Sequence, residues 1–374
     1  MNTIIIPEPI ARQPWAMLVP LILLTFFGAA VLYSAAGGSF SPFASSHLIR
    51  FAIFMVVALV ISTLPREFAK FAAYPSYVAI LLLLVAVEAA GTLGGGSQRW
   101  LEVGPIRIQP SELMKPAVAL ALARFYDTLP TGMFSSWRAL LPAGVIISLP
   151  VILVLAQPDL GTALAILFSG AVVMFLAGLP MSWFLSAGAA AAVAVPLAYS
   201  FALKPYQQRR VTTFLDPESD PLGSGYHITQ SKIAIGSGGF SGKGFNEGSQ
   251  SHLQYLPEPH TDFVFATMAE EWGFLGGLFV LIAFGLILRW GLSVARNAQT
   301  RFDRLLAAGM VATMFFYIAI NLLMVMGMAP VVGIPLPFMS HGGSSMMTNM
   351  LCLGALMMIY RWNTQGRGGG LLST

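Results

Sequence analysis

The stretch Leu256-Pro257-Glu258-Pro259-His260-Thr261-Asp262-Phe263 closes a polar segment and opens directly into a long apolar run. A membrane-spanning helix needs roughly 20 predominantly apolar residues, and the run after Phe263 is long enough. The stretch therefore predicts that Asp262 lies where water meets hydrocarbon, at the beginning of a helix. A carboxylate at such a boundary can be held partly away from water, which raises its pKa. The alternative is an ordinary helix N-cap formed by Thr261 or Asp262.

Apolar runs of membrane-spanning length recur on both sides of this stretch. Of the 374 residues, 56% are hydrophobic and 10% are charged, whereas soluble domains carry roughly 25% charged residues. Because a backbone inside a bilayer must satisfy its own hydrogen bonds, these runs are predicted to be helices. We therefore predict an all-α, polytopic integral membrane protein with about ten transmembrane helices. The whole chain, residues 1–374, is predicted to form a single membrane domain.

The predicted helices are separated by short connections and by one long loop. They cover approximately residues 15–33, 48–64, 74–93, 109–126, 140–156, 160–178, 181–203, 263–290, 305–328 and 346–360. The long loop, about residues 204–262, falls between the seventh and the eighth helix. Within it, residues 226–235 mix apolar and polar side chains in a pattern typical of a short amphipathic helix.

Basic residues are unevenly distributed among the short connections. One side carries Arg12, Arg66, Lys70, Arg124, Arg138, Arg289, Arg296, Arg301, Arg304, Arg361 and Arg367, and the other carries Arg50, Arg99 and Arg107. Since cytoplasmic loops are enriched in Lys and Arg, this distribution predicts that both termini are cytoplasmic and that the long loop is outside. The formal net charge of +4 is small and spread out, so nucleic-acid binding is not expected.

Several charged residues lie near the ends of predicted helices, where each needs a partner or a function. Glu112 and Lys115 lie on one helix face, and they form either a self-neutralising ion pair or a polar wall of an outward-facing cavity. Lys115 and the free N–H groups at that helix start would attract a diphosphate. Asp159 is either a helix cap or a ligand. Trp100, beside Arg99, is either an interfacial belt residue or part of a site for a sugar and a phosphate.

A glycine-rich stretch, residues 236–244, invites comparison with phosphate-binding loops but departs from their pattern. Ser237 stands at the position of the first glycine, and Gly244 stands at the position of the Ser or Thr. These glycines are therefore predicted to form turns. The histidines of the same loop are His227, His252 and His260. Their spacing matches no metal-binding motif, so no metal ligand is assigned.

Five motifs carry a resemblance to a known family. They are Gly95-Gly96-Ser97-Gln98-Arg99-Trp100, Gln109-Pro110-Ser111-Glu112-Leu113-Met114-Lys115, Gln157-Pro158-Asp159-Leu160-Gly161-Thr162, Pro257-Glu258-Pro259-His260-Thr261-Asp262-Phe263, and Gly333-Ile334-Pro335-Leu336-Pro337 with Ser340-His341-Gly342-Gly343-Ser344. Together they resemble the SEDS family (shape, elongation, division and sporulation) of bacterial peptidoglycan glycosyltransferases over nearly the whole chain. The run Gly248-Ser249-Gln250-Ser251-His252-Leu253 is similar to the elongation-type branch rather than the division-type branch. His341 departs from the pattern, since many members carry Tyr there.

The resemblance implies an enzyme of the bacterial inner membrane with its site facing the periplasm. Its substrate would be lipid II, an undecaprenyl-diphosphate that carries a disaccharide-pentapeptide. The resemblance implies that Asp262 is the essential acidic residue. It also implies a set of residues that line or support an outward cavity: Arg50, Arg99, Trp100, Glu112, Lys115, Asp159 and Arg210. A class B penicillin-binding protein is the expected partner, with its membrane helix packed near the eighth and ninth predicted helices.

The chemistry is consistent with a single carboxylate. Asp262 would act as general base on the acceptor sugar hydroxyl. Inverting hydrolases use a second carboxylate as acid, but a diphosphate leaves as an anion and needs no proton. Lys115, Arg99 and Arg210, or a divalent cation such as Mg²⁺ or Mn²⁺, would offset its charge; no other cofactor is assigned.

Two further functions stay open at this point. One is a transporter that flips lipid II across the bilayer, and the other is a scaffold that activates a partner transpeptidase. A flippase needs polar residues down to the cytoplasmic side, whereas here they cluster at the outer end. That clustering favours the enzyme.

Overall fold

The computed structural model describes residues 13–90, 92–94, 97–103, 106–130, 132–134, 136–201, 208, 212, 216, 224–253, 255–256 and 258–368. Helices dominate this part of the chain. They are α1 (Trp15–Ala35), α2 (Phe43–Ser62), α3 (Arg66–Ala90), α4 (Pro110–Thr128), α5 (Trp137–Ala156), α6 (Leu160–Ala177), α7 (Met181–Phe201), α8 (Ser224–Ser237), α9 (Ser249–His252), α10 (Val264–Arg296), α11 (Arg301–Val325) and α12 (Gly343–Gly368). The predicted all-α, polytopic membrane fold is confirmed.

Nine of the helices in the described ranges are long and apolar enough to cross a membrane. The tenth long helix, α4, has 19 residues and carries Glu112, Lys115, Arg124 and Asp127, which make it more polar than the other nine. It nevertheless packs against α3, α6 and α11, and most of its side chains are buried. The polar helix therefore lies inside the bundle, where protein rather than lipid surrounds its charges.

A small three-stranded antiparallel sheet lies within residues 92–108, where residues 94–108 were predicted to be a glycine-rich loop and residues 92 and 93 the end of a helix. Its strands are β1 (Thr92–Gly94), β2 (Ser97–Val103) and β3 (Ile106–Ile108), with Thr92 opposite Trp100 and Leu101 opposite Ile108. The prediction of a loop was wrong because the neighbouring glycines obscured a short apolar–polar alternation at Leu101-Glu102-Val103, which is the signal of a strand.

Two predicted connectors are parts of helices instead. Arg66 and Lys70 lie in the first two turns of α3, and Arg301 and Arg304 lie in the first turn of α11. The predicted boundaries were wrong because hydropathy marks only the apolar centre of a span, whereas the helix continues into the polar interface.

The end of the bundle opposite Asp262, here called the Asp303 end, is tied together by ion pairs. The Arg66 guanidinium lies 2.8 Å from the buried Asp303 carboxylate, and the Lys70 ammonium lies 2.9 Å from Asp127. The Thr300 hydroxyl caps α11 by accepting the Asp303 N–H. These contacts place the basic starts of α3 and α11 at the same end as the end of α4.

Helix α10 is broken at Gly273, whose φ is 60°. Residues 238–244, here called the glycine clasp, supply the missing partners. The N–H groups of Phe274 and Leu275 donate to the carbonyls of Gly239 and Phe240 at 2.9 and 3.2 Å. In return, the carbonyls of Glu270 and Glu271 accept from the N–H groups of Lys243 and Gly244 at 3.0 and 3.1 Å. The clasp satisfies backbone groups that a helix break would leave unpaired inside the membrane.

Both acidic residues of α10 are buried and serve the same region. The Glu270 carboxylate accepts from the Lys243 ammonium at 2.6 Å and from the N–H groups of Ser249 and Gln250 at 3.0 and 3.1 Å, at the start of α9. Glu271 accepts from the Ser34 hydroxyl of α1. These two carboxylates therefore anchor the long loop and α1 to α10.

Gly242→Ala is expected to destabilise the protein by about 2–4 kcal/mol. Gly242 has φ +81°, and a Cβ there would overlap the Glu271 carbonyl. The matched control is Gly236→Ala, because a Cβ at Gly236 meets no atom within 4 Å. Unfolding of the two purified variants in detergent measures the difference, and equal stabilities would contradict the clasp.

Candidate active site

Asp262 lies immediately before α10 and is not its cap. The residue at the N-cap position is Phe263, and it forms no side-chain cap hydrogen bond. The Asp262 carbonyl accepts from the side-chain amide of Asn321 at 2.9 Å, and the same amide donates to the Ile334 carbonyl at 2.7 Å. Asn321 thereby joins the end of α11, the start of α10 and the loop before α12. The backbone of Asp262 is fixed while its carboxylate stays available.

The Asp262 carboxylate faces the loop of residues 329–342, here called the last loop. A Cβ on Gly333, which has φ +67°, would lie 3.5 Å from Asp262 Oδ2. Among the residues that the structure describes, none donates a hydrogen bond to this carboxylate or forms an ion pair with it. Burial, and to a lesser extent the negative charge of Glu258, raise the pKa of Asp262 to about 6. A carboxylate in this state is a stronger base than an ordinary Asp.

Arg50 is held close to this segment through His341. The Arg50 Nη1 atom lies 3.0 Å from His341 Nε2, and the His341 backbone N–H donates to the His260 carbonyl at 2.8 Å. The rings of His260 and Phe43 stack with centroids 3.9 Å apart. The structure therefore brings the predicted site residues Arg50 and Asp262 to the same end of the bundle, here called the Asp262 end.

Asp159 caps α6, which is one of the two alternatives that its sequence position left open. Its carboxylate accepts from the Thr162 N–H at 3.1 Å and from the Gln109 side-chain amide at 3.2 Å. Arg99 donates to the Gln157 carbonyl at 3.0 Å and also to the Pro158 carbonyl. These contacts fix the turn between α5 and α6.

The turn between α5 and α6 lies against the last loop. A Cβ on Gly161 would lie 3.0 Å from the Ile334 side chain. Asp159 and Arg99 thus support the wall that carries Gly333. Their geometry indicates a structural role in positioning that loop.

Glu112 and Lys115 form a closed triad with Tyr317. The Lys115 ammonium lies 2.5 Å from Glu112 Oε1 and 2.5 Å from the Tyr317 hydroxyl, which itself donates to Glu112. Lys115 is fully buried. This arrangement agrees with the ion-pair alternative. The geometry does not favour direct compensation of a diphosphate by Lys115, because the side chain is fully buried and two of its three donors are used inside the protein.

The remaining two predicted site residues are Trp100 and Arg210. Trp100 lies on β2, half-buried, so it belongs to the small sheet rather than to a helix. Arg210 lies outside the described residues.

Sequence reasoning missed Asn321 and Tyr317, which lie one turn apart on α11. Tyr317 completes the triad, and Asn321 holds the Asp262 carbonyl. Their signal was present, since a polar side chain in an otherwise apolar helix calls for a partner. What the sequence lacked was the identity of that partner. As for metals, no group of three or more His, Cys, Asp and Glu residues in the described ranges could hold one.

Comparison with known proteins identifies the family. Residues 14–365 match the family model described as "Cell cycle protein", which covers FtsW, RodA and SpoVE. The chain belongs to the FtsW/RodA/SpoVE family. This is the family that the sequence motifs indicated under the name SEDS, and that prediction is confirmed.

Individual members of the FtsW/RodA/SpoVE family match along nearly their whole length. Peptidoglycan glycosyltransferase MrdB of Escherichia coli (strain K12) is 44% identical over 349 residues, which are 92% of each chain. A chain of a peptidoglycan synthase complex, from work on the structural coordination of polymerization and crosslinking, superimposes with a TM-score of 0.83 at 33% identity, covering 95% of this chain and 99% of that chain. The rod shape determining protein RodA of Thermus thermophilus gives a TM-score of 0.70 at 29% identity, covering 94% and 97%. These matches agree with the elongation-type resemblance.

Proposed function

We propose that this chain is a peptidoglycan glycosyltransferase that polymerises lipid II into glycan strands during cell elongation. Family membership and the similarity to MrdB along 92% of both chains support the activity. The observation that carries the mechanism is the placement of Asp262. Its backbone is fixed by Asn321, its carboxylate is free of ion pairs within the described ranges, and burial raises its pKa to about 6.

In this mechanism Asp262 takes the proton from the acceptor sugar hydroxyl. The deprotonated oxygen attacks the anomeric carbon of the donor sugar, and the bond from that carbon to the diphosphate breaks. A positioned base contributes roughly 10²–10⁴-fold to such a step. The diphosphate departs as an anion, so a single carboxylate suffices and the configuration at the anomeric carbon is inverted.

Cations at the Asp262 end offset the charge of the departing diphosphate. Arg50 suits this role, because no carboxylate pairs with it among the residues that the structure describes. An indirect role is proposed for Arg99, Asp159, Glu112 and Lys115. Their polar atoms are bonded within the protein, so they support the site and do not contact the diphosphate. Arg210 stays a proposed contributor from the long loop. A divalent cation stays an alternative source of positive charge.

The protein is proposed to lie in the bacterial inner membrane. Its Asp262 end would face the periplasm, and both termini would lie in the cytoplasm. The charge asymmetry of the loops supports this orientation. Single cysteine substitutions report the orientation of the chain. Glu247 is exposed at the Asp262 end and Arg361 is exposed at the Asp303 end. The native Cys352 is buried, so it should not react. An impermeant maleimide added to intact spheroplasts should label Glu247→Cys and spare Arg361→Cys; the reverse pattern would invert the proposed topology.

A class B penicillin-binding protein is the proposed partner, with its membrane helix packed near α10 and α11. The outward face of α10 supports this placement with exposed apolar side chains, among them Leu278, Leu281 and Ile282.

Turnover of lipid II by the purified chain tests the proposed function. Glycan strands should form when the purified chain is present, and they should form more rapidly when the partner is added. Adding a chelator tests whether the reaction needs a divalent cation. If the chain instead moves lipid II between leaflets of proteoliposomes without making glycan, and Asp262→Asn leaves that movement unchanged, the flippase alternative is correct. If glycan appears only when a partner polymerase is present, the scaffold alternative is correct.

A further inference from the structure

One face of α2 is turned toward the last loop and carries four polar or aromatic side chains. Phe43, Ser46, His47 and Arg50 are spaced three, four and seven residues apart, so they share a single face of the helix. Three of them meet at His341. The Ser46 hydroxyl lies 2.8 Å and Arg50 Nη1 lies 3.0 Å from His341 Nε2, and the Phe43 ring packs edge-on with its centroid 5.1 Å away.

The contact with Arg50 fixes the chemical state of His341. A guanidinium has only donors and stays protonated, so His341 Nε2 must accept. The imidazole is therefore neutral and carries its proton on Nδ1. Burial and the positive charge of Arg50 lower the pKa of His341 to about 4, with a further contribution from His260. The ring thus stays neutral at the pH at which such an enzyme works.

His341 is itself tied to the segment that ends in Asp262. Its backbone N–H donates to the His260 carbonyl at 2.8 Å. The Ser340 hydroxyl accepts the Leu336 N–H at 2.9 Å, which closes the turn just before His341. The His341 ring therefore has a fixed position relative to the backbone two residues before Asp262. The Arg50 side chain, which is hydrogen-bonded to the ring, is held in place relative to the same backbone.

We propose that His341 is a positioning residue that orients the Arg50 guanidinium toward the diphosphate of the leaving group. The inference rests on the proposed function. Of the five N–H donors of a guanidinium, one is used by His341 and the others are available to an anion. A long Arg side chain loses considerable rotamer freedom when it binds. Fixing the side chain in advance strengthens its contact with the diphosphate.

The test measures how tightly undecaprenyl diphosphate, the proposed leaving group, inhibits lipid II polymerisation by the purified full-length chain. His341→Leu removes the acceptor and is expected to weaken inhibition about tenfold, in line with the loss of one hydrogen bond to a charged group. His341→Gln keeps an acceptor oxygen and should stay within about threefold of the native chain. Thermal unfolding of each variant separates positioning from damage to the fold. If His341→Leu and His341→Gln give the same inhibition constant while both unfolding temperatures are unchanged, the inference is wrong.

A double-mutant cycle identifies the residue through which His341 acts. In an Arg50→Met background, His341→Leu should change the inhibition constant by less than about twofold, because the group that it positions is gone. An undiminished effect in that background would overturn the inference while leaving the proposed function intact. Absence of lipid II turnover by the native chain would instead remove the proposed function itself.

Discussion

Asp262→Asn is expected to lower the rate of lipid II polymerisation by roughly 10²–10⁴-fold, which is the contribution of a positioned general base. The substitution keeps the size of the side chain but removes its basicity. The hydrogen bond from Asn321 goes to the Asp262 backbone carbonyl and is unaffected. Folding and lipid II binding should therefore be retained. The measurement is single-turnover polymerisation by the purified variant, with substrate binding measured in parallel.

Glu258→Gln is the matched control for Asp262→Asn. Glu258 is an exposed carboxylate four residues earlier, bonded to the Thr261 hydroxyl at 3.1 Å, and its charge contributes to the raised pKa of Asp262. Its loss should lower that pKa and change the rate only a few-fold. A near-native rate in Asp262→Asn, or an equally severe loss in Glu258→Gln, would mean that Asp262 is not the base.

Lys115→Met is expected to destabilise the protein by about 3–5 kcal/mol, since it leaves the Glu112 carboxylate buried without its counter-charge. Lys115 is fully buried, and its ammonium lies 2.5 Å from both Glu112 and the Tyr317 hydroxyl. The measurement is unfolding of the purified variant in detergent micelles.

The double variant Glu112→Gln with Lys115→Met is the control for the triad. Replacing both members of a buried pair with neutral side chains of similar volume is often close to neutral for stability. The double variant should therefore recover most of the loss. If Lys115 instead contacts the diphosphate, Lys115→Met should weaken substrate binding without destabilising the fold, and the second substitution should restore nothing.

The sequence predicted what depends on local pattern. The change from a Pro-rich polar segment to an apolar run at Phe263 placed Asp262 at the start of a helix, and the structure has α10 beginning at Val264. In the described ranges, nine long helices follow from hydropathy in the same way, whereas α4 is more polar than these nine. Helix ends were less accurate, because α3 begins at Arg66 and the charges of its first two turns have the composition of a connector.

What the sequence could not predict depends on pairs that are distant along the chain. Arg50 and His341 are 291 residues apart, and Tyr317 and Glu112 are 205 residues apart. Each residue was visible as a polar side chain near or within a span, but its partner was not. The same holds for the glycine clasp: the run of glycines indicated turns, while the break at Gly273 that it completes depends on tertiary packing.

The pH dependence of kcat/KM for lipid II polymerisation tests the central claim most directly. A base must be deprotonated to act, so the rate should rise through an apparent pKa of about 6 and then level off. His341 has a pKa of about 4 and would titrate at lower pH. The residual activity of Asp262→Asn should lack the rise in rate near pH 6. A native profile that is flat between pH 5 and pH 7, or the same rise in Asp262→Asn, would contradict Asp262 as the general base.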